Sequence, residues 1–88
     1  MKSESASEEL CLDRLRPSEL AVIVRYLDRQ DIHHRLKELG MVPGTKIRMM
    51  RYAPLGDPME LELRGYRLSI RREDAEKIWV RKIKISPL

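Results

Sequence analysis

The stretch Ala53–Arg71, APLGDPMELELRGYRLSIR, leaves a chain of this size little choice of architecture. Met59, Leu61 and Leu63 alternate with Glu60, Glu62 and Arg64; beyond Gly65, Tyr66, Leu68 and Ile70 alternate with Arg67, Ser69 and Arg71. A period of two on both sides of a glycine predicts a β-hairpin with one wet and one buried face. Gly65 stands at the reversal, where the backbone needs positive φ. Upstream, Pro54, Gly56 and Pro58 predict a stiff loop, because proline fixes φ and glycine supplies the unusual turn angles. An isolated hairpin is marginal in water, so the rest of the chain has to cover its apolar face.

That covering is sought along the remaining sequence. Residues 1–9 read as a disordered polar tail, and 10–85 as one domain. Leu12 and Leu15 predict a short turn tucked under the domain, ended by Pro17. Glu19–Asp28 predicts a first strand, with apolar groups on both faces and therefore a central place in the sheet. Asp31 is an N-cap residue, and Ile32, Leu36 and Leu39 form one helical stripe closed by Gly40, a helix of about two turns. Pro43-Gly44 supplies the two central residues of a type II turn. Thr45–Ala53 predicts a second strand, with Ile47 and Met49 on one face and Met50 and Tyr52 on the other; apolar groups on both faces predict either a bulge or a strand shared between two sheet halves. Glu73–Ile78 reads as a single helical turn and Trp79–Ile85 as a closing strand. Five short strands in so small a chain predict a compact barrel.

With 88 residues there is room for one modest core, and with Tyr26, Tyr52, Tyr66 and Trp79 as the only aromatics that core has to be aliphatic. Cys11 is the only cysteine, so no intramolecular disulfide can form. No apolar run approaches the roughly 20 residues needed to cross a bilayer, and the start lacks the apolar centre of a secretory signal. These features predict a cytoplasmic, soluble protein. The net charge of +4 is uneven, −1 over residues 1–44 and +5 over 45–88. A basic half favours an acidic partner without naming it. Exposed aromatic platforms are few and no recognition-helix pattern is present, so a solvated strand face is favoured over a nucleic-acid site.

The run HRLKELGMVPGTKIRMM, followed by RYAPLGDPMELELRGYRLSIRREDAEKIWV, resembles the FeoA family of small accessory proteins of bacterial ferrous-iron uptake. The pieces that carry the resemblance are Leu36, Leu39-Gly40, Pro43-Gly44, Ala53–Pro58, Gly65–Leu68 and the Glu-rich turn ending at Ile78. Their order is specific, whereas each alone is weak. Ser18 departs from the pattern, since the family often has glycine after this proline. The resemblance implies a mainly β fold with short helices, a small SH3-like barrel with a helix inserted between the first two strands. It implies a role beside FeoB, a membrane ferrous-iron transporter with a cytoplasmic GTP-binding domain. The fold it implies is similar to the C-terminal domain of DtxR-type metal-dependent repressors. The alternative function is therefore a free-standing divalent-metal-binding regulatory module.

Catalysis requires a nucleophile, a base and an orienting group together, and no pattern joins Cys11 to His33 or His34. No phosphate-binding GxxxxGK[ST] is present, so no enzyme activity and no cofactor are expected. His33 and His34 are the tempting metal ligands, with Cys11 as a distant third. Adjacent histidines on a helix diverge by about 100°, and the favoured reading places both in an exposed first turn. Asp57, Glu60 and Glu62 read as cross-strand partners for Arg67, Ser69 and Arg71. The best docking candidate is the loop Pro54, Leu55, Gly56, Asp57 and Pro58, with Arg67 beside it. Leu55 is either an apolar anchor for a partner or a plug for one end of the barrel. The helix face around Arg35 and Lys37 is a second candidate surface. Oligomeric state is not legible.

Overall fold

The structure, a computed structural model, describes residues 8–28 and 31–83, with the side chains of Asp31 and Ile32 left out. Its strands are β1 (Glu8–Cys11), β2 (Leu20–Tyr26), β3 (Lys46–Tyr52), β4 (Met59–Leu63), β5 (Tyr66–Ile70) and β6 (Ile78–Ile83). Helix α1 (Asp31–Glu38) lies between β2 and β3, and α2 (Arg72–Ala75) between β5 and β6. All pairings are antiparallel, in the order β1-β6-β2-β3-β4-β5. The fold is thus mainly β with short helices, as expected. The pairings leave β1 and β5 as the terminal strands of the sheet.

The hairpin forms as its alternation demands. Met59, Leu61 and Leu63 are buried, and Leu63 faces Tyr66 across a two-residue turn. Both turn residues have positive φ, Arg64 at 50° and Gly65 at 86°, the combination that matches the twist of the flanking strands. In β3, Ile47 and Met49 are buried, and the register slips between Met49 and Arg51, so of the two alternatives the sequence allowed it is the bulge that forms, at Met50. β2 is central between β6 and β3. Its Ala21 and Ile23 are buried, while Val22 and Val24 are only half-buried, so the second face is less covered than the sequence implied.

The core is aliphatic and sulfur-rich: Met41, Met49 and Met59 are fully buried alongside Leu12, Leu15 and Leu61. Leu12 and Leu15 enter it from a 3-10 turn at Leu12–Arg14, as the spacing predicted. The preceding strand was not foreseen. β1 takes in Glu8 and Glu9, which the sequence reading assigned to the tail; residues 1–7 of that tail lie outside the described residues. β1 pairs with β6, where Trp79 Nε1 donates to Glu9 at 2.7 Å and Lys82 Nζ lies 3.2 Å from Glu8.

Helix α1 ends in the paired bonds of a Schellman motif: Gly40 N–H donates to Lys37 O and Met41 N–H to Leu36 O, each at 3.0 Å. Gly40 has φ of 105° there. Thr45 N–H donates to Val42 O at 3.0 Å, closing the turn through Pro43-Gly44. The buried face of the helix differs from the expected stripe. Leu36 is buried, Leu39 is 38% exposed, and His33 is buried at 3% exposure. The side chain of Ile32 lies outside the described residues.

Candidate partner-docking surface

The Pro54–Pro58 loop is rigid because its polar groups are bound at the base. Gly56 N–H donates to Ala53 O at 2.7 Å, with Gly56 at φ of 91°, and Ala53 N–H donates to Pro58 O at 2.9 Å. Asp57 Oδ1 accepts the N–H of Arg72 at 3.0 Å, tying the loop to the start of α2. The Arg72 guanidinium lies 4.9 Å from the centre of the Tyr52 ring. The Tyr52 hydroxyl reaches Asp13 O at 2.8 Å and Leu15 O at 2.5 Å, in and just after the 3-10 turn. Burial pushes the Tyr52 phenol up despite the opposing Arg72 charge. The loop base is therefore anchored through three successive elements, and Leu55 stands at its tip 97% exposed. Of the two roles the sequence allowed for Leu55, this geometry is that of a presented side chain, not of a plug.

The loop opens into a cavity of about 330 Å³ lined by Asp57, Pro58, Ser69 and Arg71. A second groove, of about 230 Å³, runs between α1 and β5, where Arg35, Leu36 and Leu39 face Leu68, Ser69, Ile70 and Arg71. Ser69 and Arg71 belong to both. The loop and the Arg35 side of the helix, distant in sequence, are thus the two ends of one concave strip along β5. Lys37 is not on it: its ammonium lies 4.8 Å over the Tyr26 ring, on another side of the helix. Arg67 is exposed on β5. The contributions of Leu39, Leu68, Ser69 and Arg71 were missed, although the outward alternation of Arg67, Ser69 and Arg71 was visible in the sequence.

The acids of the hairpin are partnered differently from the expectation. Glu60 and Glu62 do stand opposite Ser69 and Arg67 in register. Their ion pairs, however, are with β3: Arg48–Glu62 and Arg51–Glu60, both 3.8 Å. Asp57 serves the α2 backbone instead. Among the described residues, no ion pair engages Arg35, Arg67 or Arg71.

The two histidines separate sharply, which corrects the reading of both as exposed. His34 is exposed, with Nε2 3.3 Å from Glu38 one turn on. His33 is buried, its ring 4.5 Å from that of Tyr26 and its Nδ1 3.0 Å from Asp28 O. Hydrogen bonding to that carbonyl makes Nδ1 the protonated nitrogen. Cys11 sits on β1 opposite Trp79, half-buried, and burial followed by the Asp13 charge pushes its thiol up. Among the described residues, no group of three or more His, Cys, Asp or Glu side chains converges as a metal site. No helix of the described residues is long and apolar enough to cross a membrane.

A six-stranded antiparallel sheet with a helix between its second and third strands, and a stiff loop beside a terminal strand, defines a small domain of SH3-like build. Residues 10–82 match the FeoA domain, and the chain belongs to the FeoA family. The chain is 42% identical over 69 residues to a Fe(2+) transport protein A/Fe(2+) transporter FeoB fusion protein of Porphyromonas gingivalis, covering 78% of this chain but only 8% of the fusion protein. It resembles the solution structure of FeoA from Chlorobium tepidum at 35% identity and a TM-score of 0.80, over 85% of this chain and 71% of that one. It also resembles the zinc complex of Stenotrophomonas maltophilia FeoA, described as a prokaryotic SH3 domain protein, at 29% identity and a TM-score of 0.71, over 81% and 88% of the two chains. Metal-dependent transcriptional repressors share the fold. The family is associated with ferrous-iron transport.

Proposed function

We propose that this chain is a non-enzymatic, cytoplasmic accessory protein of ferrous-iron uptake that docks on the cytoplasmic part of a FeoB-like transporter. The observation that carries this reading is the fusion relative, in which a segment 42% identical to this chain shares one polypeptide with the transporter. Fusion holds two modules at high effective concentration, which has value when they engage each other. The surface supports it: Leu55 stands exposed on an anchored loop, a pre-ordered apolar contact that loses little entropy on binding. Arg71 lies beside the loop, Arg35 lines the other end of the groove, and Arg67 stands toward the far end of β5; among the described residues none of the three is held in an ion pair. The protein acts by binding one conformation of the transporter better than another, the only way a partner can shift such an equilibrium.

The test is a binding titration of the purified chain against the soluble GTP-binding domain and the intact transporter, with and without ferrous ion. Saturable binding to either, independent of iron, is the expected result. No binding to either overturns the reading. Stoichiometric ion binding by the free chain, with no transporter binding, would favour the metal-regulatory alternative.

A further inference from the structure

The terminal position of β5 carries a more specific consequence. In a two-residue hairpin, the residues flanking the turn exchange both backbone bonds, and bonded and unbonded pairs then alternate. Leu63↔Tyr66, Leu61↔Leu68 and Met59↔Ile70 are therefore the bonded pairs. The N–H and C=O groups of Arg67 and Ser69 point away from β4. Among the described residues, no strand pairs with that outer side and no backbone bond reaches either residue from it. The groove lies along this edge and not on a face of the sheet, because Leu68, Ser69, Ile70 and Arg71 line it consecutively. Side chains of a strand alternate between faces, so consecutive residues meet one groove only at an edge.

Resting on the docking reading above, we propose that the outer edge of β5 receives an extended, acidic segment of a protein partner, which adds to the sheet as a further strand between α1 and the Pro54–Pro58 loop. The charge argues for that occupant. Arg67 and Arg71 are exposed along the edge and Arg35 lines the groove from α1, while Asp57, the acid within the loop, is already bonded to Arg72 N–H. By contrast, the arginines of β3 are paired with Glu60 and Glu62. Among the described residues Asp74 is the one carboxylate lining the groove, against Arg35 and Arg71. Edge-to-edge pairing of two copies would juxtapose arginines, a familiar way of protecting an open strand, and the same arginines admit a strand of opposite charge.

The test uses the full chain labelled with 15N, a synthetic peptide of alternating Glu and Val, the same peptide with Lys for Glu, and a version N-methylated on alternate amides. Amide exchange at Arg67 and Ser69 is expected to slow at least about tenfold with the Glu peptide and with neither control. Arg67→Glu together with Arg71→Glu is expected to weaken the Glu peptide by at least about tenfold while the exposed positions leave the fold intact. Ser69→Pro deletes an edge donor that makes no bond within the sheet, and is expected to abolish the added protection. The proposal falls if the Glu peptide does not bind, or binds while both amides exchange as in the free chain. If the latter holds and the transporter domain still binds through Leu55, the docking reading stands and the added strand does not. Protection by the peptide without any transporter binding would uphold the edge and remove FeoB as its partner.

Discussion

Leu55→Asp separates a presented side chain from a structural one. Leu55 is 97% exposed, so its removal from the free protein takes almost no apolar area out of a packed environment. Substitutions at such positions change stability by about 0.5 kcal/mol or less. In a domain of this size, that moves the melting temperature by less than about 4 °C. If the side chain becomes buried on docking, the lost transfer energy is about 1.5–3 kcal/mol. That corresponds to a Kd raised about tenfold to a hundredfold, before the cost of desolvating the new carboxylate. Thermal melting by circular dichroism and calorimetric titration against the transporter's cytoplasmic domain read the two quantities separately. An unchanged melt with a large loss of affinity is expected. An affinity within twofold of the parent removes Leu55 from the interface. A melting temperature lowered by about 10 °C means that the loop packs on the domain in solution.

Ser18 occupies φ of 78°, with its N–H donating to Met49 O at 2.7 Å, so the left-handed conformation is held by the sheet. Ser18→Gly is expected to stabilise by about 0.5–1 kcal/mol, the relief of left-handed strain less the extra freedom of the unfolded glycine; a lowered melting temperature contradicts this. At Gly65, a β-carbon would meet no atom within 4 Å, so the cost of Gly65→Val is entirely in the backbone at φ of 86°. It is expected to destabilise by about 1–2 kcal/mol, and denaturant unfolding with an unchanged midpoint would count against the turn. Burial pushes the Glu19 carboxyl up, but the Arg16 N–H and the Lys82 ammonium outweigh it and hold it below its usual 4.5. A depressed carboxyl contributes stability that is present above that value and lost as pH falls through the folded value. The melting advantage of the parent over Glu19→Gln is therefore expected to be flat near neutrality and to disappear on acidification. An advantage of equal size at pH 3 and pH 7 refutes the assignment.

What was legible in the sequence was what local chemistry decides. The hairpin, its positive-φ turn, the bulge at Met50 and the glycine-closed helix end follow from alternation and from residues with special backbone freedom. Leu12 and Leu15 were placed in the core by being apolar next to a proline. β1 was not legible, because Glu8-Glu9-Leu10-Cys11 has no alternation of its own. Its strand conformation comes from pairing with β6, some seventy residues away. Ser18 was noticed as a departure from the family pattern, and its φ supplies the reason that glycine suits the position.

The histidine pair shows where such reading stops. A helical stripe of Ile32, Leu36 and Leu39 assumes that the buried face follows the most apolar residues. Here the face turns so that His33 goes inward, because Tyr26 offers its ring and Asp28 offers a carbonyl to Nδ1. A polar residue is buried when a partner waits for it, and sequence does not record the partner. The docking strip has the same character. Arg67, Ser69 and Arg71 can be placed on the outward positions of a strand from alternation alone, and from that they look like an ordinary solvated face. Only the strand order makes β5 terminal, and only the return of α1 beside it turns the open edge into a groove with the Pro54–Pro58 loop at its other end. Arginines that no ion pair engages among the described residues, at such an edge, differ physically from the paired arginines on β3, since a partner strand can bond the backbone and the charges together.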